Sequence, residues 1–70
     1  MKRIPVKSSS INSIGYDIIE QILEVEFTRG AIYQYEDVPA FRVVEFIFAD
    51  SVGKYFSQNI KNNFKYRKII

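Results

Sequence analysis

Seventy residues without cysteine, histidine or tryptophan exclude disulfide bridges, thiolate and imidazole catalysis, and the usual zinc ligands. The 47% of hydrophobic residues, six Phe and five Tyr among them, suffices for one small packed domain. The net charge of +2 conceals a strong partition: residues 1–10 carry Lys2, Arg3 and Lys7 with no acid. Residues 11–50 hold all eight acids against Arg29 and Arg42, and residues 51–70 hold Lys54, Lys61, Lys65, Arg67 and Lys68 with no acid. An acidic middle between two basic ends either neutralises itself by folding the ends back or presents a local basic field to an anionic partner.

Residues 1–7 contain Pro5 and alternate weakly, which predicts a lead-in or an edge strand. No apolar signal core follows them and no apolar run approaches a membrane span of about 20 residues, so a cytoplasmic protein with no membrane partner is expected. The Ser8-Ser9-Ser10 hydroxyls suit unpaired backbone donors at the start of a first strand over 10–17, in which Gly15 marks a bulge or a close approach. Asp17 to Gln21 is the following turn. Leu23-Glu24-Val25-Glu26-Phe27 alternates apolar and acidic residues, the pattern of a half-buried strand, and Ala31 to Tyr35 is its return.

Pro39 opens a helix over 39–49, in which Phe41, Val44 and Phe48 lie on one side and Val43, Phe46 and Ile47 on the other. One small sheet cannot bury both sides, so either a second helix or a partner covers the outer set. Ser51 is the N-cap of that second helix, with Val52, Tyr55, Phe56 and Ile60 on its inner face. Residues 61–70 form a basic tail or a short strand. The whole reads as a single α+β domain over 1–70: a small antiparallel sheet of three strands, open to a fourth or fifth from the chain ends, followed by two helices packed on one face.

Several stretches, in unbroken order over about residues 8–66, resemble the KTSC domain, named after the C-terminus of certain lysyl-tRNA synthetases. They are Ser9-Ser10-Ile11, Ser13 to Asp17, Leu23 to Phe27, Gly30, Tyr33-Gln34-Tyr35, Val38-Pro39, Ala49 to Phe56 and Ile60-Lys61. Val43, Ser57 and Phe64 depart from the pattern, two of them replacing a tyrosine common in the family. The resemblance implies a small appended or stand-alone domain, bacterial or phage-encoded, with RNA binding as its working role.

The Tyr33/Tyr35 pair shares one strand face, and the turn decides which. A two-residue Arg29-Gly30 loop places the pair beside Glu24 and Glu26 on the wet face. A three-residue Thr28-Arg29-Gly30 turn places Tyr33 opposite Val25 and Tyr35 opposite Leu23, in the core. The second is favoured, because it needs Gly at its last position. For RNA, the better candidates are Lys54, Lys61, Lys65, Tyr66, Arg67 and Lys68, which interleave cations with aromatic rings. Phe41, Val44 and Phe48 are the candidate surface for a protein partner or a homo-oligomer. Glu24 and Glu26 at i, i+2 have the spacing for a hard cation, but alternating Glu on a hairpin is the ordinary wet face, and no nucleophile or phosphate loop accompanies them. A non-catalytic module with no catalytic residue, metal or cofactor is therefore expected.

Overall fold

The alternation in residues 23–27 sets the two faces of the sheet. The computed structural model describes residues 1–70, with strands β1 (Arg3–Pro5), β2 (Ile11–Asp17), β3 (Ile22–Phe27), β4 (Ile32–Tyr35) and β5 (Tyr66–Lys68). All pair antiparallel, in the order β1-β2-β3-β4-β5. Both chain ends therefore join the sheet, one at each edge. Helix α1 (Ala40–Ile47) and helix α2 (Val52–Tyr55), which runs on into a π-helical turn over Phe56–Ile60, connect β4 to β5 and pack on one face.

The β3–β4 hairpin takes the three-residue turn. The Phe27 amide donates to the Ala31 carbonyl at 2.8 Å and the Gly30 amide to the Phe27 carbonyl at 2.9 Å, with Gly30 at φ 101°. That backbone conformation is open to glycine and costly for other residues, so Gly30 pins the register. Val25 stands opposite Tyr33 and Leu23 opposite Tyr35, which puts both tyrosines on the helix-covered face. At the other end of the sheet the Asp17 carboxylate accepts from the Ile19 and Glu20 amides, each at 3.0 Å, and closes the β2–β3 turn.

The core gathers Ile11 and Ile14 of β2, Leu23 and Val25 of β3, Val38, Phe46 of α1 and Ile60, all fully buried. Pro39 takes the N-cap of α1 rather than its first turn, with an extended backbone (φ −69°, ψ 150°). The chain then enters the helix at Ala40. Ser51 caps α2 as the sequence predicts, accepting from the Lys54 amide at 3.2 Å. The Ser8 hydroxyl likewise accepts from the Ser10 and Ile11 amides, both at 3.2 Å, at the entry to β2.

The second helical segment also departs from the sequence reading. The second helix is not a plain α-helix: the Lys61 amide reaches back five residues to the Phe56 carbonyl at 2.9 Å, and the Asn59 side-chain amide donates to the Tyr55 carbonyl at 3.3 Å. Lys61 closes this wider turn as its C-cap. The structure also decides between the two alternatives left open for the outer side of α1. Helix α2 packs against its inner side, with Phe46 stacked on Tyr55 at 5.7 Å and tilted against Phe56 at 6.2 Å. Phe41, Val44 and Phe48 are left exposed.

Candidate functional site

The two faces of the sheet have opposite chemistry. On the face away from the helices, Glu24 and Glu26 do not stand free. The Arg3 guanidinium crosses β2 over Gly15 to pair with Glu24, and the Gln34 amide donates to the same carboxylate at 2.9 Å. Arg67 donates to Gln34 at 3.3 Å, so the chain of contacts crosses from β1 to β5. Ser13 donates to Glu26 at 2.7 Å and Asn12 at 3.2 Å. Both carboxylates are thus engaged by protein donors.

Desolvation pushes the Glu24 carboxyl up, but the hydrogen bonds from Gln34 and Arg3 and the Arg3 charge outweigh it and hold it below its ordinary value of 4.5. Ser13 and Asn12 lower Glu26 in the same way. The folded protein thus binds fewer protons than the unfolded chain in acid. These groups contribute stability that is complete above 4.5 and lost as pH falls through their folded values. The urea midpoint is expected to stay level from about pH 7 to about pH 5 and to drop below that. Glu24→Gln should shallow the drop, and an unchanged acid limb in that variant would refute the assignment.

The helix-side face carries a basic, aromatic groove made of three adjoining hollows. At its centre is a cavity of about 330 Å³ walled by Phe27, Tyr33, Tyr35, Phe56 and Tyr66, with Arg29 and Lys61 at its polar side. One neighbouring hollow shares Arg29 and adds Lys68. The other shares Ser10, Gly53 and Ser57 and adds Lys7 and Lys54. Along these three hollows lie five cations and one carboxylate, Asp50. The central cavity has no carboxylate at all.

The aromatic wall is a contiguous stack of rings. Tyr33 lies edge-on to Phe27 at 5.7 Å, and Tyr66 lies tilted against both Tyr33 and Tyr35 at 5.6 Å. Burial, with the neighbouring Tyr33 and Tyr66 phenols, pushes the Tyr35 hydroxyl up to about 12, so it stays a neutral hydrogen-bonding group and not a nucleophile. Tyr66 keeps 55% of its surface in solvent, so its ring is the one presented outward. The cations are also uncommitted: of the ten Lys and Arg residues, only Arg3 and Arg42 form ion pairs.

The candidate residues are thereby divided. Lys54, Lys61, Tyr66 and Lys68 line the groove. Arg67, one residue from Lys68 on β5, faces the opposite way and sits among Glu20, Glu36 and Asp37. Lys65 lines none of the hollows; its carbonyl accepts from the Glu36 amide at 2.8 Å. Sequence reasoning passed over Arg29, Lys7, Phe27 and Phe56 as site residues. Arg29 carried one signal, since it occupies the hairpin turn directly beyond Phe27 and its guanidinium lies 5.9 Å from that ring. The two basic ends also separate: the N-terminal one neutralises an acid through Arg3, while no C-terminal cation pairs with a carboxylate.

Fold and groove together define a small α+β module with an antiparallel five-stranded sheet, covered by helices on one face and indented there by a cationic, aromatic cleft. The chain belongs to the KTSC domain family, whose model matches residues 7–64. It is similar to an uncharacterised protein of Stutzerimonas stutzeri, 49% identical over 70 residues and covering 99% of both chains. A lysine–tRNA ligase of a Nostoc species is 38% identical over 63 residues, which is 90% of this chain but 11% of that protein. The crystal structure of a KTSC domain protein from Yersinia pestis superposes with a TM-score of 0.93 at 44% identity, covering 99% of this chain and 97% of that one. No helix is long and apolar enough to cross a membrane.

Proposed function

We propose that this domain is a non-catalytic RNA-binding module and that the groove from Lys68 through Lys61 to Lys54 is its binding surface. The observation that carries the reading is the run of five unpaired cations along an aromatic groove with a single carboxylate. Phosphates gain from such a field and unpaired bases gain from stacking on exposed rings, of which Tyr66 is the outermost. The occurrence of a similar segment within lysine–tRNA ligases supports RNA as the polyanion. Contact with tRNA through a predominantly cationic groove asks nothing of a nucleophile or a metal.

A titration with tRNA and with single-stranded oligoribonucleotides at graded salt tests this. The affinity should fall steeply with ionic strength, and each groove cation removed should reduce the salt slope by about 0.7 on a single strand. Lys61→Glu and Lys68→Glu are expected to abolish low-salt binding, whereas Lys65→Glu and Arg67→Glu, off the groove, should weaken it far less. Equal losses from both pairs would place the site elsewhere.

A second reading is favoured by one specific observation, the exposure of Phe41, Val44 and Phe48 on α1 at 58%, 54% and 81%. Such a face suits a protein partner or a second copy of the chain, and its burial would be insensitive to salt. Light scattering alongside the titration separates the two, since a monomer of 8.2 kDa at high concentration removes self-assembly.

A further inference from the structure

Among the hollows of the groove, the central cavity alone combines an aromatic wall, two cations and the absence of any carboxylate. Its volume, about 330 Å³, is at the lower end of small-ligand pockets, so it suits one planar heterocycle with its attached sugar and not a run of stacked bases. Tyr66 already leans on Tyr33 and Tyr35 with one side of its ring and is more than half exposed, so a base can extend that stack outward. The buried Tyr35 phenol remains protonated, which leaves a neutral donor and acceptor in the same wall. Arg29 and Lys61 line the cavity from different elements, the β3–β4 turn and the end of the π-helical turn, and neither has an acidic partner.

We propose that this cavity takes a single unpaired nucleotide, with the base stacked on Tyr66 beside Tyr33 and the phosphate held by Arg29 and Lys61. The assignment rests on the RNA-binding reading above and narrows it to one nucleotide subsite within the groove. The flanking hollows, with Lys68 on one side and Lys54 and Lys7 on the other, then carry the phosphates before and after it. The same chemistry would serve a free nucleoside monophosphate, and the experiment separates the two sources.

Backbone amide chemical shifts of the full chain are followed while 5′-AMP, 5′-UMP, adenosine, inorganic phosphate and an unstructured oligoribonucleotide are added in turn. The expected result is that both the oligoribonucleotide and at least one monophosphate move the amides of Phe27, Arg29, Lys61 and Tyr66, with the nucleoside and phosphate alone binding more weakly. Tyr66→Ala and Lys61→Gln should each reduce affinity about tenfold, and Lys65→Gln by less than about twofold. Since Tyr66 is exposed, its variant is expected to keep the fold, and Lys61→Gln gives an independent check. Oligoribonucleotide binding that leaves those amides unmoved, or that is indifferent to Tyr66→Ala, overturns the subsite while leaving the RNA-binding reading in place. Monophosphate binding in the cavity without any RNA binding upholds the site for a free nucleotide and overturns the RNA reading. Binding of none of these overturns both.

Discussion

Phe46→Ala is expected to leave the domain unfolded or close to its midpoint at room temperature. Phe46 is fully buried, stacks on Tyr55, packs against Phe56, and is the largest side chain wholly excluded from solvent. It is also where α1 and α2 meet above the sheet, so a cavity there loosens the whole helical layer. Truncations of this kind cost about 3–5 kcal/mol, the lost transfer energy plus the cavity left behind. A chain of 70 residues at ordinary stability has roughly 4–10 kcal/mol in total. Phe46 thus shares with Val43, Val52, Phe56 and Ile60 the anchoring of the helical layer. The comparison that makes the test informative is Phe48→Ala on the same helix, whose side chain is 81% exposed and whose loss should fall within about 0.5 kcal/mol of zero. Urea unfolding followed by far-ultraviolet circular dichroism reads both. Similar losses for the two variants would mean that the outer side of α1 is covered in solution.

Gly15→Val should detach β1 from the sheet at a cost of about 2–3 kcal/mol. A Cβ at residue 15 would lie 2.9 Å from the Arg3 Cγ, 3.1 Å from the Lys2 carbonyl oxygen and 3.2 Å from the Met1 Cγ. The glycine is needed because the Arg3 side chain must lie flat over β2 to reach Glu24 on β3. Pushing Arg3 away leaves the Glu24 carboxylate, only 11% exposed, without its cation. The cost stays below that of a fully buried pair because Arg3 itself keeps about a third of its side chain in water. The local readout is hydrogen exchange at the Val6 amide, which donates to the Asn12 carbonyl at 3.2 Å only while β1 is docked. Exchange as slow as in the parent protein would show that the chain end docks without the clearance Gly15 provides. The same pairing accounts for part of the acid sensitivity expected of Glu24, so the acid limb of Gly15→Val should resemble that of Glu24→Gln.

The features legible in the sequence are those whose physical cause lies within a few residues. The alternation of Leu23 to Phe27 declared a strand with one wet face, and Gly30 as the last residue of its turn chose the register that sends Tyr33 and Tyr35 inward. Helical spacing alone groups Val43 with Phe46 on one side of α1 and Phe41 with Val44 and Phe48 on the other, and the fold buries the first. Ser51 as a cap, and the Ser8 hydroxyl taking backbone amides at the start of β2, are equally local. The basic tail is visible as a composition, but which of its residues share a face with Tyr33 and Tyr35 depends on the pairing of β5 with β4, which puts Tyr66 and Lys68 on that side and Arg67 on the other.

The partition of charge along the chain was evident from composition, together with the absence of Cys and His; what that charge faces was a tertiary decision. Arg3 neutralises Glu24 because antiparallel pairing brings β1 within reach of β3 across a glycine, and no local pattern encodes a contact over 21 residues. Lys61 lines the cavity with Tyr66 from the end of a π-helical turn over Phe56–Ile60, a widening that the 3.6-residue period of the sequence does not announce. Arg29, Lys7 and Lys54 join it from a turn, a strand entry and a second helix. Hydrophobic spacing dictates which residues of an element share a side, since that depends on neighbours in sequence. The cationic groove, with its acid-free central cavity, depends on which elements the fold brings side by side, and only the assembled sheet and helices determine that.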